Sequence, residues 1–188
     1  MLGMILLPYI TYGAEKKHET AIFAGGCFWS MQHDFEKLPG VISTTVGYTG
    51  GNVVNPSYEQ VSTGMTGHYE AIQIVYDPSK TEYSKLLDFY WHDTDPTNAT
   101  GQFCDSGNEY HPVIFYLNNS QKTIAENSKN VLAKSGKFDH IVTQIAPAKP
   151  FYPAEDYHQH YSDKNPENYN AYRAGCTRDA ILKTIWGN

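Results

Sequence analysis

The feature that most constrains this chain is a cysteine placed between a predicted buried strand and a predicted helix. The all-apolar residues 21–24 predict the strand, and residues 30–38 predict an amphipathic helix. Gly25 and Gly26 let the backbone turn tightly just before Cys27. Free N–H groups at a helix start stabilise a thiolate, so we expect Cys27 to be a reactive thiol with a lowered pKa. The alternative is that Cys27 is a small buried hydrophobic residue, as most free cysteines are.

Length and charge limit the class of protein. At 188 residues the chain is long enough for one domain with a substantial core and too short for two comfortable ones, so we expect residues 18–188 to form a single domain. A formal net charge of -6 leaves no basic surface for nucleic acid, which is therefore not an expected partner. The 15 tyrosines suit a cleft that is apolar and still donates hydrogen bonds.

The cysteine count argues against a disulfide scaffold. Cys27, Cys104 and Cys176 are an odd number, which permits one reactive thiol, one partner and one spare. There is no Cys-x-x-Cys pair, so a zinc ribbon and a thioredoxin-type motif are not supported. His158 and His160 could be interpreted as metal ligands, but no cysteine or third histidine lies near them in the sequence. A solvated or structural pair is the better interpretation, and no metal is predicted.

The N-terminal segment resembles the end of a secretory signal peptide. Residues 1–10 are almost wholly apolar, and Thr-Tyr-Gly-Ala-Glu-Lys-Lys follows them. The apolar run is far shorter than the roughly 20 residues that a membrane span needs. We therefore expect residues 1–17 to be a leader or signal-peptide remnant and no membrane span. This favours export to the periplasm, with the cytoplasm as the alternative.

The remaining pattern alternates strands, helices and long irregular segments. Strands are predicted at 41–46, 68–76, 113–117 and 141–146. Helices are predicted after a capping box at 79–82, over 119–134, near 155–162 and from a cap at Thr177. Residues 47–67, 92–109 and 147–175 are mostly irregular, and long loops in a compact domain are usually functional. The sequence predicts a two-layer α+β sandwich with helices against a mixed or mainly antiparallel sheet.

The strand at 68–76 carries an unusual acidic residue. Side chains alternate between the two faces of a strand, so Glu70 shares a face with Ile72, Ile74 and Tyr76. If that face points into the core, desolvation raises the pKa of Glu70 and keeps a proton available near neutral pH. The alternative, which the alternation leaves equally open, is a glutamate at a strand end that points into water.

A series of motifs resembles that of the A-type peptide methionine sulfoxide reductases. In chain order they are Gly-Cys-Phe-Trp at 26–29, Gly-Tyr-Thr-Gly-Gly at 47–51, Asn-Pro-Ser-Tyr-Glu at 55–59, Thr-Gly-His-Tyr-Glu at 66–70, Tyr-Asp-Pro at 76–78, Asp-Ser-Gly-Asn-Glu-Tyr at 105–110 and Phe-Tyr-Pro-Ala-Glu-Asp-Tyr-His-Gln at 151–159. One such motif would be weak, but this many in the family's order are very hard to obtain otherwise. The resemblance implies the same α+β fold class.

The resemblance also implies a role for each of five residues. Cys27 matches the nucleophile, and Glu70 matches the acid that protonates the departing oxygen. Tyr58 and Tyr110 match two tyrosines that donate hydrogen bonds to the sulfoxide oxygen. Asp105 matches an aspartate that orients polar groups or water beside the site. For the two tyrosines, surface or packing positions are a serious alternative in a chain so rich in tyrosine.

Two aromatic residues after the cysteine complete the implied site. Phe28 and Trp29 would form the apolar pocket for the substrate's methyl group, although Trp29 could equally be a core residue of the first helical turn. Ser30 stands where the family often has cysteine, and His111 stands where it often has arginine. The first departure leaves the nucleophile intact, and the second alters the charge where the substrate's backbone meets the site.

The implied activity is reduction of the S-epimer of methionine sulfoxide, both in proteins and as the free amino acid, in the repair of oxidised proteins. Attack would leave a sulfenic acid on Cys27, which a second thiol converts to a disulfide. Cys176, near the C-terminus, is the expected resolving cysteine, and Cys104 is the alternative. Thioredoxin or another dithiol would be the reductant, no cofactor is expected, and the chain is expected to be a monomer. A thiol peroxidase and a non-catalytic redox sensor are the rival interpretations.

Overall fold

A computed structural model describes residues 17–187, which form a six-stranded sheet with helices packed on it. The strands are β1 (Glu19–Ala24), β2 (Val41–Thr49), β3 (Tyr69–Tyr76), β4 (Gly101–Gln102), β5 (Asp105–Ser106), β6 (Val113–Tyr116), β7 (Gln144–Pro147) and β8 (Tyr152–Pro153). The sheet order is β7-β6-β1-β3-β2-β8, and all neighbours are antiparallel except β6 and β7. Strands β4 and β5 form a separate two-stranded ladder. The predicted α+β fold class is confirmed.

The helices follow the strands in chain order. They are α1 (Phe28–Phe35), α2 (Tyr58–Val61), α3 (Tyr83–His92), α4 (Asn119–Lys134), α5 (Tyr161–Lys164), α6 (Pro166–Gly175) and α7 (Arg178–Trp186), and a short 3-10 helix covers Asn108–Tyr110. Apolar residues of α1, α3 and α4 pack in one cluster with alternate residues of β1, β3 and β6. Phe23 lies near the centre of that cluster, with its ring 5.0 Å from that of Tyr90 and 5.7 Å from that of Phe35.

The opposite face of the sheet has its own smaller cluster. Ile22, Ala24, Ala71, Val113 and Phe115 are buried there, because successive strand residues point to opposite faces. Phe151 packs on this cluster from the segment before β8. The strands in the middle of the sheet are therefore buried on both sides, which explains their nearly continuous apolar sequence.

Two predicted helix starts are wrong. Helix α1 begins at Phe28, two residues earlier than predicted, because the N–H of Met31 already bonds to the carbonyl oxygen of Cys27. The predicted capping box at 79–82 does not form, since Glu82 is the N-cap of α3 and makes no side-chain cap hydrogen bond. Ser79 instead donates its hydroxyl to Asp77 Oδ1 at 2.6 Å, which closes a turn after β3.

The segments predicted as irregular contain more structure than their sequences suggest. Ser57 and the side chain of Gln60 form a capping box that starts α2 at Tyr58. Helix α6 was not predicted because Tyr169 is its only buried residue, so the sequence lacks an apolar stripe there. Thr177 precedes α7 as predicted, but it has a φ of 53° and makes no side-chain cap.

The predicted leader, residues 1–17, lies outside the described residues except for Lys17. Among residues 17–187, no helix has the length and apolar character needed to span a bilayer.

Candidate active site

Cys27 stands at the tight turn between β1 and α1, where both preceding glycines are required. A Cβ on Gly25 would lie 2.6 Å from the methyl group of Thr94, and one on Gly26 would lie 2.7 Å from Gln102 Cβ. Gly26 also has a φ of +87°, a backbone conformation that residues with a Cβ atom rarely adopt. The turn makes Cys27 the N-cap residue of α1, with only 7 % of its surface exposed.

Glu70 lies at the start of β3, on the same face as Ile72, so the buried alternative is the correct one. Its Oε2 accepts a hydrogen bond of 3.0 Å from the N–H of Phe28, the residue directly after Cys27. Burial raises the pKa of Glu70 to about 8, and the nearby charges of Asp105 and Glu109 add to this shift. The carboxyl group therefore keeps its proton over most of the neutral pH range.

The pKa of Cys27 moves in the opposite direction from the one predicted. Burial raises the pKa of this thiol well above its usual range, and the charge of Glu70 raises it further. Interactions with the Tyr172 hydroxyl and the backbone N–H of Trp29 lower it only in part. A helix start does lie at Cys27, but a sequence pattern does not show how far water is excluded from the sulfur. The resting pair is a thiol beside a carboxylic acid.

Tyr58 and Tyr110 meet next to this pair. Tyr58 begins α2, Tyr110 ends the 3-10 helix, and the Tyr110 hydroxyl is close enough to lower the pKa of Tyr58 in part. The N–H of Gly26 donates to the carbonyl oxygen of Tyr110 at 3.1 Å, which ties the cysteine turn to the second tyrosine. Burial raises the pKa of both tyrosines, and interaction with Glu70 adds to both shifts. Both hydroxyl groups therefore stay protonated and can donate hydrogen bonds.

Asp105 reaches the same site through a residue that sequence reasoning missed. The Tyr172 hydroxyl donates to its Oδ2 at 2.6 Å, and the nearby backbone N–H of Cys27 lowers the pKa of its carboxyl group. The same hydroxyl of Tyr172 also lies beside the Cys27 sulfur, whose pKa it lowers. Tyr172 comes from α6, which has no apolar stripe, so no local sequence signal marked it.

Phe28 and Trp29 line the aromatic side of the site. Phe28 is 1 % exposed, and its ring centroid lies 5.9 Å from that of Tyr48. Trp29 is partly buried and stacks on Tyr161, with ring centroids 3.7 Å apart and planes 7° from parallel. Trp29 is therefore packed, and its role in a pocket for the substrate stays a prediction, since a packed indole can also form a pocket wall.

His158 is a second missed residue of the site. The Trp29 indole donates to His158 Nδ1 at 3.0 Å, so the other ring nitrogen carries the proton when the ring is neutral. Burial lowers the pKa of His158, and its ring centroid lies 4.7 Å from that of Tyr58. The sequence hint was its place in the motif at 151–159. His160, by contrast, is exposed and pairs with Glu36 at 3.0 Å.

The structure brings two of the cysteines together and leaves Cys27 as the free one. Cys104 and Cys176 form a disulfide, with their Cα atoms 4.9 Å apart. This bond lies beside the site, because Asp105 follows Cys104 and the N–H of Cys176 donates to the carbonyl oxygen of Tyr172 at 2.9 Å. Cys104, the alternative resolving cysteine, is thus the partner of Cys176, the expected one.

Comparison with known sequences gives one consistent family. The profile of the peptide methionine sulfoxide reductase family matches residues 19–188. The chain is 51% identical over 174 residues to a peptide methionine sulfoxide reductase MsrA 2 from Caulobacter vibrioides, covering 93% of this chain and 88% of that protein. It is 59% identical over 169 residues to an MsrA from Streptococcus uberis, covering 89% of this chain and 99% of that protein.

Solved structures agree with the sequence comparison. Methionine sulfoxide reductase A of Corynebacterium diphtheriae is 34% identical with a TM-score of 0.73, over 81% of this chain and 77% of that one. Mxr1 from Saccharomyces cerevisiae in reduced form is 31% identical with a TM-score of 0.76, over 85% and 91% of the two chains. The predicted family and enzyme class are confirmed: the chain belongs to the peptide methionine sulfoxide reductase family of oxidoreductases.

Proposed function

We propose that the chain reduces the S-epimer of methionine sulfoxide to methionine, in oxidised proteins and as the free amino acid. One observation carries this proposal, namely a free buried cysteine next to a carboxyl group that keeps its proton at neutral pH. Glu70 has a pKa raised to about 8 and accepts a hydrogen bond from the N–H directly after Cys27. A thiol peroxidase would not require the acid Glu70 or the aromatic pair Phe28 and Trp29 beside its cysteine.

In the proposed reaction, the sulfur of Cys27 attacks the sulfur of the sulfoxide while Glu70 protonates the sulfoxide oxygen. The net step moves that oxygen to Cys27, so the sulfoxide is reduced by two electrons to a thioether and the thiol is oxidised to a sulfenic acid. The proton that leaves the Cys27 thiol replaces the one that Glu70 gives up. No external acid is needed.

The other groups of the site act on the same oxygen and methyl group. Tyr58 and Tyr110 donate hydrogen bonds to the oxygen as negative charge develops on it. Asp105 holds the backbone of Cys27 and the hydroxyl of Tyr172 in place. The side chains of Phe28 and Trp29 form the apolar wall for the methyl group. This wall distinguishes the S-epimer from the R-epimer.

The three cysteines then act in series. The thiol of Cys176 attacks the Cys27 sulfenic acid, which forms a Cys27–Cys176 disulfide and releases water. The thiol of Cys104 next attacks Cys176, which frees Cys27 and leaves the Cys104–Cys176 disulfide. That final pairing is the one present in the structure. Both cysteines considered as resolving residues therefore take part, one after the other.

A thioredoxin-like dithiol protein would reduce the Cys104–Cys176 disulfide, and no metal or prosthetic group takes part. The neighbour Mxr1 was also solved in complex with Trx2, and we extend that type of partner to this chain. We propose further that residues 18–188 act as a monomeric single domain. Export is the favoured location because of the apolar residues 1–10.

The decisive test is single-turnover reduction of the two separated epimers of methionine sulfoxide by the fully reduced protein. The first turnover should give about one methionine per protein from the S-epimer only, with two thiols consumed. Reduction of the R-epimer at a similar rate would overturn the assigned stereochemistry. No methionine, together with loss of thiols to peroxide, would favour the peroxidase or sensor interpretation.

A further inference from the structure

An open polar cavity of about 450 Å³ flanks the site, and the proposed chemistry places no part of the substrate in it. One wall is residues 62–65, directly after α2, and the other wall is residues 106–109. Tyr58 stands at the start of α2, and Tyr110 directly follows the second wall. A peptide whose methionine sulfoxide lies against the two tyrosines would therefore place its neighbouring residues at this cavity.

Glu109 is the residue of this cavity that lacks a partner. Its side chain is buried, with 6% of the residue's surface exposed. Within the described range 17–187, its Oε2 has no hydrogen-bond partner. The carboxylate lies between the walls, since a Cβ on Gly107 would be 2.6 Å from Oε2 and one on Gly64 would be 3.6 Å from it. An unpaired buried carboxylate is costly, and a donor or cation in the cavity would remove that cost.

The two hydroxyl groups of the first wall act as acceptors toward the cavity. Ser62 Oγ already donates to the carbonyl oxygen of Glu59 at 3.1 Å, and Thr63 Oγ1 donates to that of Gln60 at 2.7 Å. Thr63 Oγ1 also accepts from the N–H of Met65 at 3.2 Å, so each hydroxyl oxygen keeps at least one free lone pair while its hydrogen points back to the backbone. A group that brings several N–H donors therefore fits better than one that brings acceptors.

The charge of the surrounding chain agrees with a cationic occupant. Residues 38–79 and 86–121, which contain both walls, include no lysine or arginine. Met65 stands on the rim with 85% of its surface exposed. An exposed apolar side chain of this kind can pack against the methylene stem of a lysine or arginine. A single carboxylate is a poor site for a divalent metal ion, which takes several oxygen ligands.

We propose that this cavity is a subsite for a lysine or arginine side chain close in sequence to the oxidised methionine of a protein substrate, with Glu109 as the residue that binds its charge. The inference rests on the proposed reduction of methionine sulfoxide. It specifies which methionine sulfoxide residues of a protein substrate are reduced fastest. Glu109 directly precedes Tyr110, so the cation lies within a few residues of the methionine sulfoxide. Lysine and arginine are the two side chains that bring a permanent positive charge with several N–H donors.

The test is a peptide scan with the full-length protein and dithiothreitol as reductant. Short peptides carry one central methionine sulfoxide and one lysine at each flanking position in turn, with matched glutamine and glutamate series. At one or more positions, kcat/KM should be about three- to tenfold higher for lysine than for glutamine, and lower still for glutamate. The ratio between lysine and glutamine peptides should fall to about one in Glu109→Gln.

Glu59→Gln is the matched control, because Glu59 is an exposed carboxylate on α2 that does not line the cavity. It should keep the lysine preference. In the unmodified protein, the preference should also shrink as sodium chloride rises from about 20 mM to about 500 mM, which tests the charge without a substitution.

Equal rates for lysine, glutamine and glutamate peptides at every position would overturn the subsite and leave the reductase activity standing. An equal loss of preference in Glu59→Gln and Glu109→Gln would also overturn it, since general surface charge would then explain the effect. If no peptide is reduced, the proposed function itself fails.

Discussion

The region around Cys27 and the C-terminal region, residues 155–187, both contribute to the site but are held in place differently. The first is fixed by the apolar core, where Met31 and Phe35 of α1 are fully buried. The second has few buried apolar side chains, and ion pairs attach it together with the stacking of Tyr161 on Trp29. Arg173 pairs with Asp34 of α1 at 2.7 Å, and Arg178 pairs with Asp93 at 2.9 Å.

This difference fits what each region does in the proposed cycle. The nucleophile and its acid need a fixed geometry, which a closely packed sheet and helix provide. Cys176 instead bonds to two different partners in succession, first Cys27 and then Cys104. A region with little buried apolar surface opens at lower free energy than the core does. Variants in the two regions should therefore affect different steps.

The largest effect is expected from Cys27→Ser in the core-fixed region. Serine lacks the soft nucleophilic sulfur, so the rate of methionine formation should fall to below about 10⁻⁴ of the original. The measurement is methionine formed from the S-epimer with excess dithiothreitol. Cys104→Ser is the control, and it should still form methionine in the first turnover. Retained steady-state activity in Cys27→Ser would rule out the assigned nucleophile.

Cys176→Ser, in the C-terminal region, should affect the recycling steps and not the first reduction of the sulfoxide. The first turnover should proceed within about twofold of the original rate, because the Cys27 site is unchanged. Cycling with thioredoxin should be lost, since no Cys176 thiol is present to form the disulfide. Rapid quenching and thiol counting in the presence and absence of thioredoxin check both statements. If cycling survives, Cys104 or an external thiol resolves Cys27 directly.

Glu70→Gln tests the acid within the core-fixed region. It should slow the reductive step by about 10²- to 10³-fold at neutral pH. In the unmodified protein the protonated carboxyl is the active form, and its pKa is raised to about 8. The single-turnover rate should therefore fall as pH rises through that value, and this fall should vanish in Glu70→Gln. An unchanged rate in the variant would remove Glu70 as the acid, whereas Glu59→Gln should leave the pH profile as it is.

The two regions also differ in how far the sequence predicted them. The family resemblance assigned Glu70 and Tyr58 to the site through motifs of a few neighbouring residues, while the alternation along β3 left the burial of Glu70 open. His158 and Tyr172 depend on contacts made across 129 and 67 residues of chain, to Trp29 and Asp105 respectively, and no local pattern encodes such packing. The raised pKa of Cys27 was missed for a related reason, since burial of the sulfur is a property of the assembled fold.

The smallest effect is expected from Arg173→Met, which weakens the attachment of the C-terminal region. Arg173 donates to Asp34 at 2.7 Å and to the Tyr169 hydroxyl at 2.8 Å, and it is partly buried. Its loss leaves these acceptors without their donor, so the free energy of unfolding in urea should fall by about 1–3 kcal/mol. Lys183→Met, an exposed cation on α7, is the control and should change it by less than about 0.5 kcal/mol.

The same variant distinguishes the steps of the cycle. Arg173→Met should change the rate of disulfide exchange between Cys176 and its two partners more than it changes the first reduction of the sulfoxide. The reason is that the ion pair positions α6, which ends at Gly175 just before Cys176, while Cys27 and Glu70 are held by the sheet and the core. An equal effect on both steps would show that the two regions respond as one unit, and the separation of roles between them would then be wrong.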